Sequence, residues 1–487
     1  MHVSFLSILG AMVSWGVVAA PGVKAADGEK APSRPAAITS PKPASPAVRV
    51  QAGFYTPARV GKMWDTWIYY HGGKYYMYYQ AGGCGHEMEQ DLATSEDGVH
   101  WKEFGIMIEP RIGNSIGTGH IWKSPDFDKT HKWIMNHCEN VGSNQSIMFT
   151  TSTDLLNWTN VDEKYRFRHD TRWYKPDPGR WDCIDTIERD GGGFYGYFTA
   201  NPDDRKLNYR PCGFGFAESK DGIQWTALPP VQGDIDGEFG GIQRIGNKCY
   251  ILIGEGRVAV GDKPEGPFYT QKKNCNAFGK GCDIYFPRFF HNAAAGPLVN
   301  HFYTRDPVYA APLKDIEIDR EGILRLKWWK NNDKLKANPV ETKLVAAGAG
   351  YDPSLRLLGS KLDLSRTHVI EGTLSEAKTQ PESGVKCGIY LDQGNGQGQC
   401  LLLGRNVVHF ATIQADGSNL KVLQTSNRDV DLGPTLRFRL VMKADLMELY
   451  INDYLMNLNR VQCNGQIGFM GADNAYTFKD IEVWQSN

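Results

Sequence analysis

Charge of one sign is missing from this 487-residue sequence, in which 54 Lys and Arg stand against 55 Asp and Glu for a formal net charge of −1. That balance excludes the basic excess that nucleic acid or an anionic membrane surface demands of a partner. Cys-x-x-Cys is missing too, so the spacing of the common zinc sites is absent, and no metal or other cofactor is expected. No long stretch carries a helical period of apolar residues, which sets aside helical folds and leaves an all-β class. The one long apolar run, residues 5–20 (FLSILGAMVSWGVVAA), is too short for a comfortable membrane span, so no membrane insertion is expected.

That run is followed by Val23-Lys24-Ala25, with small residues at the first and third positions, which suits a signal peptide over residues 1–25 although its start carries only His2 and no Lys or Arg. The expected location is secreted or periplasmic. Residues 26–50 hold Pro32, Pro35, Pro41, Pro43 and Pro46 among Ala, Ser and Lys, and read as an extended linker. An oxidising compartment would allow the ten cysteines to pair. Cys275 and Cys282 are the one pair close enough in sequence to suggest a disulfide, and buried thiols remain the alternative for the others.

What is plentiful is glycine, at 53, and aromatic residues, with 13 Trp, 22 Tyr and 21 Phe. This mixture favours many short strands joined by tight turns. Three segments share the pattern Ser-x-Asp-x-x-x-Trp, at Ser95-Asp97-Trp101, Ser152-Asp154-Trp158 and Ser219-Asp221-Trp225. Their tryptophans are 57 and 67 residues apart, a spacing that suits a four-stranded unit with variable loops. The Asp would form the hairpin turn between the last two strands of such a unit, and the Trp would pack between neighbouring sheets. Strand-like runs at 67–80, 133–138 and 194–200 precede the three motifs. Residues 248–268 and 285–318 keep the rhythm without the motif, so the expectation is a five-bladed β-propeller over 51–330. Residues 331–350 read as a linker. From 351 to 487, alternating strands at 385–391, 399–403, 437–442 and 448–451, with closing strands at 465–470 and 478–484, read as a β-sandwich.

In a propeller the innermost strand of every blade lines a shared funnel. Three carboxylates stand just ahead of such strands: Asp65 in Trp64-Asp65-Thr66-Trp67, Asp182 in Arg180-Trp181-Asp182-Cys183, and Glu238 in Gly237-Glu238-Phe239. Asp185, Asp234 and Asp236 are close enough in sequence to compete. Trp64, Trp67, Trp122 and Trp181 are candidates for a sugar platform, and His120, Arg180 and Arg288 for polar contacts to substrate.

Asp65 followed by Tyr69-Tyr70-His71-Gly72-Gly73-Lys74-Tyr75-Tyr76 resembles the catalytic Asp and first hairpin of the five-bladed propeller glycosidases. These are glycoside hydrolase family 32, which cleaves fructans, and family 43, which cleaves arabinans and xylans. The order Asp, Asp, Glu over blades one, three and four also resembles them, and the attached sandwich is more like family 32. The resemblance implies a secreted hydrolase of oligo- or polysaccharides, most like a β-fructofuranoside hydrolase, with an arabinofuranosidase or xylosidase, or a non-catalytic carbohydrate-binding propeller, as alternatives. It implies that Asp65 is the nucleophile of a retaining enzyme or the base of an inverting one, that Asp182 stabilises the oxocarbenium-like transition state, and that Glu238 protonates the leaving oxygen. The family's Asn-Asp-Pro, Arg-Asp-Pro and Glu-Cys-Pro are here Trp64-Asp65-Thr66, Trp181-Asp182-Cys183 and Gly237-Glu238-Phe239. A verbatim Arg305-Asp306-Pro307 falls after Glu238, out of the family's chain order.

Overall fold

The computed structural model describes residues 50–82, 89–111, 115–141, 144–176, 180–279, 281–292, 296–375, 387–471 and 477–487. The expected signal peptide and nearly all of the Pro-rich linker lie outside the described residues. Strands dominate; the helical segments described are one short α-helix, Phe127–Thr130, and three 3-10 turns.

Four separate antiparallel sheets follow one another along the chain, arranged as the blades of a propeller. Their innermost strands are Met63–His71, Ile116–Lys123, Trp181–Glu188 and Phe239–Ile245. A further antiparallel group starts with Ile284–Asn292 and continues through Gly296–Tyr303, Lys314–Ile318 and Leu324–Trp328. Each of these five leading strands touches the next, and Ile284–Asn292 returns to Met63–His71, which closes a ring.

The Ser-x-Asp motif makes the turn between the third and fourth strands of its blade, as its composition requires. Ser95 Oγ accepts from the Gly98 amide at 2.8 Å, and Asp97 Oδ1 accepts from the amides of Val99 and His100 at 2.9 and 2.8 Å. The same contacts recur at Ser152 and Asp154 and at Ser219 and Asp221. A short side chain that satisfies successive amides in this way fixes a turn that the backbone alone would leave open. The tryptophans that follow fill the seams, with Trp225 edge-on to Trp122 of the preceding blade.

The last group does not end as an isolated blade. Lys327 pairs with Tyr454, and the sheet runs on through Tyr454–Arg460, Leu446–Ile451, Leu436–Lys443, His368–Ser375, Thr477–Gln485 and Asn338–Val340. A seven-stranded sheet, which includes Gly388–Asp392, Gln397–Leu403 and Val407–Gln414, packs against this extension as the other half of a sandwich. Ile370, Leu440, Leu449, Ile389, Leu401, Phe410 and Phe469 fill the space between them. Residues 331–350, read from sequence as a linker, include a 3-10 turn and two short strands, Asn338–Val340 and Leu344–Ala346, one at the edge of each sheet. Cys275 and Cys282 are free thiols, so the disulfide suggested by their spacing is not formed; Cys282 Sγ instead lies against the Phe278 carbonyl.

Candidate active site

Each of the five leading strands carries an irregularity in its pairing near its start, between Trp64 and Thr66, Ile116 and Gly119, Asp182 and Ile184, Phe239 and Gly241, and Tyr285 and Arg288. A bulge bends its strand and re-aims the side chains beside it, and such features concentrate at barrel rims and active sites. Three of them hold a non-glycine residue at positive φ, Asp65 at +33°, Cys183 at +20° and Phe286 at +47°, a backbone cost that the surrounding packing must offset. The three carboxylates of the sequence reading all sit at these bends, at one end of the ring.

Asp65 and Asp182 are each 7% exposed. Arg180 joins two of the acids: its guanidinium donates to Asp182 Oδ2 at 3.0 Å and also to Glu238 Oε1. The Tyr285 hydroxyl donates to Glu238 Oε2. Gln145 Nε2 reaches Asp182 Oδ2 at 3.5 Å, while its Oε1 accepts from Arg180 Nε and the Trp181 amide, both at 3.2 Å. Burial works against the charge of Arg180, but the carboxylates of Asp182 and Glu238 outweigh it and hold the guanidinium above its ordinary range. Burial, reinforced by the neighbouring Glu238 carboxylate, pushes the Tyr285 phenol well up, so it remains a donor; Asp65 adds to the same field. Burial likewise raises the Cys138 and Cys183 thiols, which lie beside Asp182, and keeps them neutral. Trp64, half-buried, lies with its ring centroid 6.3 Å from that of Tyr285 and edge-on to Phe302. Asp65, Asp182, Glu238, Arg180 and Trp64 therefore share one region, joined by Tyr285 and Gln145, which sequence reasoning missed.

The other candidates go elsewhere. Trp67 is 1% exposed and stacks on Tyr78, and Trp181 is fully buried among Phe167, Tyr174 and Phe198. Trp122, 5% exposed, is wedged against Phe149, Phe194 and Trp225. Trp67 and Trp181 are thereby inaccessible to a sugar, while Trp122 reaches only the edge of a cavity away from the acids. His120 pairs with Asp185 at 2.6 Å and lines a separate cavity of about 380 Å³ with His71 and His291, among the hairpin ends of the leading strands. Arg288 is 1% exposed; it crosses the ring to donate to the Gly119 carbonyl at 2.6 Å and to contact Thr118 and Cys183. It is a buried tie between strands and not a contact for substrate. The competing acids are also occupied: Asp185 by His120 and the Ile242 amide, Asp234 by Thr270, and Asp236 by Arg257.

Fold and site together define a β-propeller continued by a β-sandwich, with three carboxyl side chains brought together by the bends of three leading strands. Solved structures that share this architecture include sucrose-6-phosphate hydrolase from Lactobacillus gasseri, at TM-score 0.65 and 15% identity over 90% of this chain and 93% of that one. They also include fructan 1-exohydrolase IIa from Cichorium intybus, at TM-score 0.66 and 13% identity over 90% and 97%. A glycoside hydrolase family 32 β-fructofuranosidase from Bombyx mori, solved in complex with sucrose, matches at TM-score 0.61 and 12% identity over 90% and 94%. No family model matches the sequence, and no curated protein does.

Proposed function

We propose that this chain is a glycoside hydrolase that cleaves β-fructofuranosidic bonds in fructans or their short relatives. The observation that carries the reading is the union of Asp182 and Glu238 through Arg180, with Asp65 facing the same end of the ring from the first blade's bend, in a fold shared with hydrolases of sucrose-6-phosphate and fructan. The Ile284–Asn292 group counts as the fifth blade in this reading, since its leading strand completes the ring. Asp65, held on a strained bend, attacks the anomeric carbon or activates the water that does so. Asp182 takes a sugar hydroxyl and stabilises positive charge in the transition state, and Glu238 delivers the proton to the leaving oxygen. A leaving oxygen at Glu238 Oε1 must displace Arg180, whose side chain is 42% exposed and has room to remain on Asp182 alone.

The test is release of reducing sugar from sucrose, 1-kestose, inulin, arabinan and xylan by the native chain and by Asp65→Asn. Hydrolysis of the fructosyl substrates, lowered about a thousandfold or more in the folded variant, is the expected result. Activity confined to arabinan or xylan would move the reading to family 43 chemistry. A folded Asp65→Asn protein that keeps more than about a tenth of the native rate would remove Asp65 from the reaction.

A further inference from the structure

Arg288 stands in the run Tyr285-Phe286-Pro287-Arg288-Phe289-Phe290, one charge among aromatic residues on a leading strand. A local break in the hydrophobic pattern is retained where it serves a site. The side chain is 1% exposed, and a charge so deep is ordinarily matched by an opposite one. Here the guanidinium donates to the Gly119 carbonyl at 2.6 Å, to Thr118 Oγ1 at 3.2 Å and to Cys183 Sγ at 3.1 Å. None of these partners is charged, since burial holds the Cys183 thiol protonated. The guanidinium also lies over the Phe286 ring, 4.5 Å from its centroid.

Each partner marks a bend. Thr118 and Gly119 lie at the irregularity of Ile116–Lys123, Cys183 at that of Trp181–Glu188, and Phe286 at that of the strand which carries Arg288 itself. Cys183 and Phe286 hold the positive φ there, and each directly follows a group of the acid site, Asp182 and Tyr285 respectively. One fork therefore braces the backbone from which both groups project. The charge has a second effect. Arg180 is engaged by Asp182 and Glu238, whereas the Cys183 sulfur in contact with Arg288 feels the carboxylates of Asp182 and Asp65 alike. The guanidinium thus stands within electrostatic reach of that pair on its buried side, where solvent screens little.

We propose that Arg288 is a positioning residue of the acid site, which fixes the bends that aim Asp182 and Tyr285 and whose charge favours the ionised form of Asp65 and Asp182. The other groups in that field are Arg180, Glu238, Tyr285 and the thiols of Cys138 and Cys183, and Arg288→Gln leaves all of them present. A carboxylate that loses a neighbouring cation binds its proton more tightly, so an acid that must be charged to act stops working at a higher pH. The inference takes the roles of the acids from the fructan-cleaving reading, while the effect on their ionisation stands on the geometry.

The pH dependence of kcat/KM on sucrose tests it, in the native chain and in Arg288→Gln, Arg288→Lys and Asn300→Ala, each shown folded by circular dichroism. Asn300 is a buried neutral tie beside Asp65, donating to the Thr66 carbonyl and hydroxyl, both at 2.9 Å, so its loss loosens the ring without a change of charge. Arg288→Gln is expected to move the acid limb up by about one pH unit and to lower kcat at least about tenfold with KM within about threefold. Arg288→Lys keeps the charge and loses the fork, so kcat should fall about tenfold with the limb unmoved. Asn300→Ala should lower the melting temperature and leave the limb where it is. A folded Arg288→Gln with the native limb, or an equal move in Asn300→Ala, would overturn the electrostatic role, and native kcat in Arg288→Lys would overturn the positioning. Should Arg288→Gln fail to fold, Arg288→Lys decides: native kcat overturns the proposal, and a loss of kcat with KM and limb held upholds it. Carbon NMR titration of aspartate labelled at its carboxyl, assigned through Asp65→Asn and Asp182→Asn, reads the same effect without turnover. Titration of that pair at higher pH in Arg288→Gln, in a protein that cleaves no fructosyl sugar, would uphold Arg288 and sink the catalytic reading. Cleavage of sucrose with limb and titration both unmoved would do the reverse.

Discussion

Glu238 is tied at both oxygens, one to Arg180 and the other to Tyr285. Its proposed work is to give up a proton, and Glu238→Gln keeps the shape while it removes that ability. Turnover of a substrate with a poor leaving group is expected to fall at least about a hundredfold, whereas an activated aryl glycoside should lose far less. Steady-state kinetics on the two substrates checks this, and equal losses would count against the role. The grouping of the three acids was legible because each falls at the start of a leading strand, Asp65 and Asp182 within its first three residues and Glu238 one residue before it. Tyr285 and Gln145 were not, since they reach their partners across 47 and 37 residues of chain. Trp67, Trp122 and Trp181 misled for a related reason: composition marks a large aromatic surface, but only packing decides whether it faces a seam or, as Trp64 does, the acids.

Among the elements, the Ser-x-Asp turns were the most legible, because their hydrogen bonds close within four residues. Burial tends to raise the Asp97 carboxyl, but the His100 ring and the His100 and Val99 amides outweigh it and hold the group well below the ordinary aspartate value of 3.8. Asp154 and Asp221 are lowered in the same manner by their own turns. A carboxyl depressed in the folded state contributes stability that is complete above its unfolded value and is lost as pH falls toward the folded one. Asp97→Ala is therefore expected to cost about 1–2 kcal/mol at pH 7, and its deficit relative to the native chain should shrink as pH drops below about 4. Thermal melts across that range measure it. The bends of the leading strands were invisible in the sequence: a bulge is a property of two strands in register, and nothing in Asp65 or Cys183 alone demands a positive φ.

At the scale of the whole molecule, propeller and sandwich share a core in which Phe54, Tyr303 and Trp328 meet Val441, Leu446 and Tyr450. Within it Glu448 is fully buried, 2.6 Å from Lys314 Nζ, and Tyr450 donates to its other oxygen at 2.7 Å. Burial would raise the Glu448 carboxyl, but Lys314 and His301 bring it down to about 2. Glu448→Gln leaves the ammonium of Lys314 buried without a counter-charge and should cost about 3–5 kcal/mol, part of which a paired Glu448→Leu, Lys314→Met exchange should restore. Denaturant titration of the three proteins decides it, and a Gln variant as stable as the native chain would refute it. The two modules were legible from their strand patterns. Their continuity was not, because it hangs on Lys327 meeting Tyr454, a pairing with no local signal.

The first described residues carry a consequence for how the molecule is made. The Ala52 carbonyl accepts from Thr367 and the Phe54 carbonyl from Lys443, partners that lie 315 and 389 residues later, while Tyr55 bridges to Ala310. A ribosome delivers the chain from its N-terminus, so the segment can pair early with blade one, at His100 and Trp101, but the contacts by which it latches the ring must wait for partners synthesised far later. Blades one to four are locally wired and have what they need to form as they emerge; the latch is non-local, and its closure belongs to the end of translation or after it.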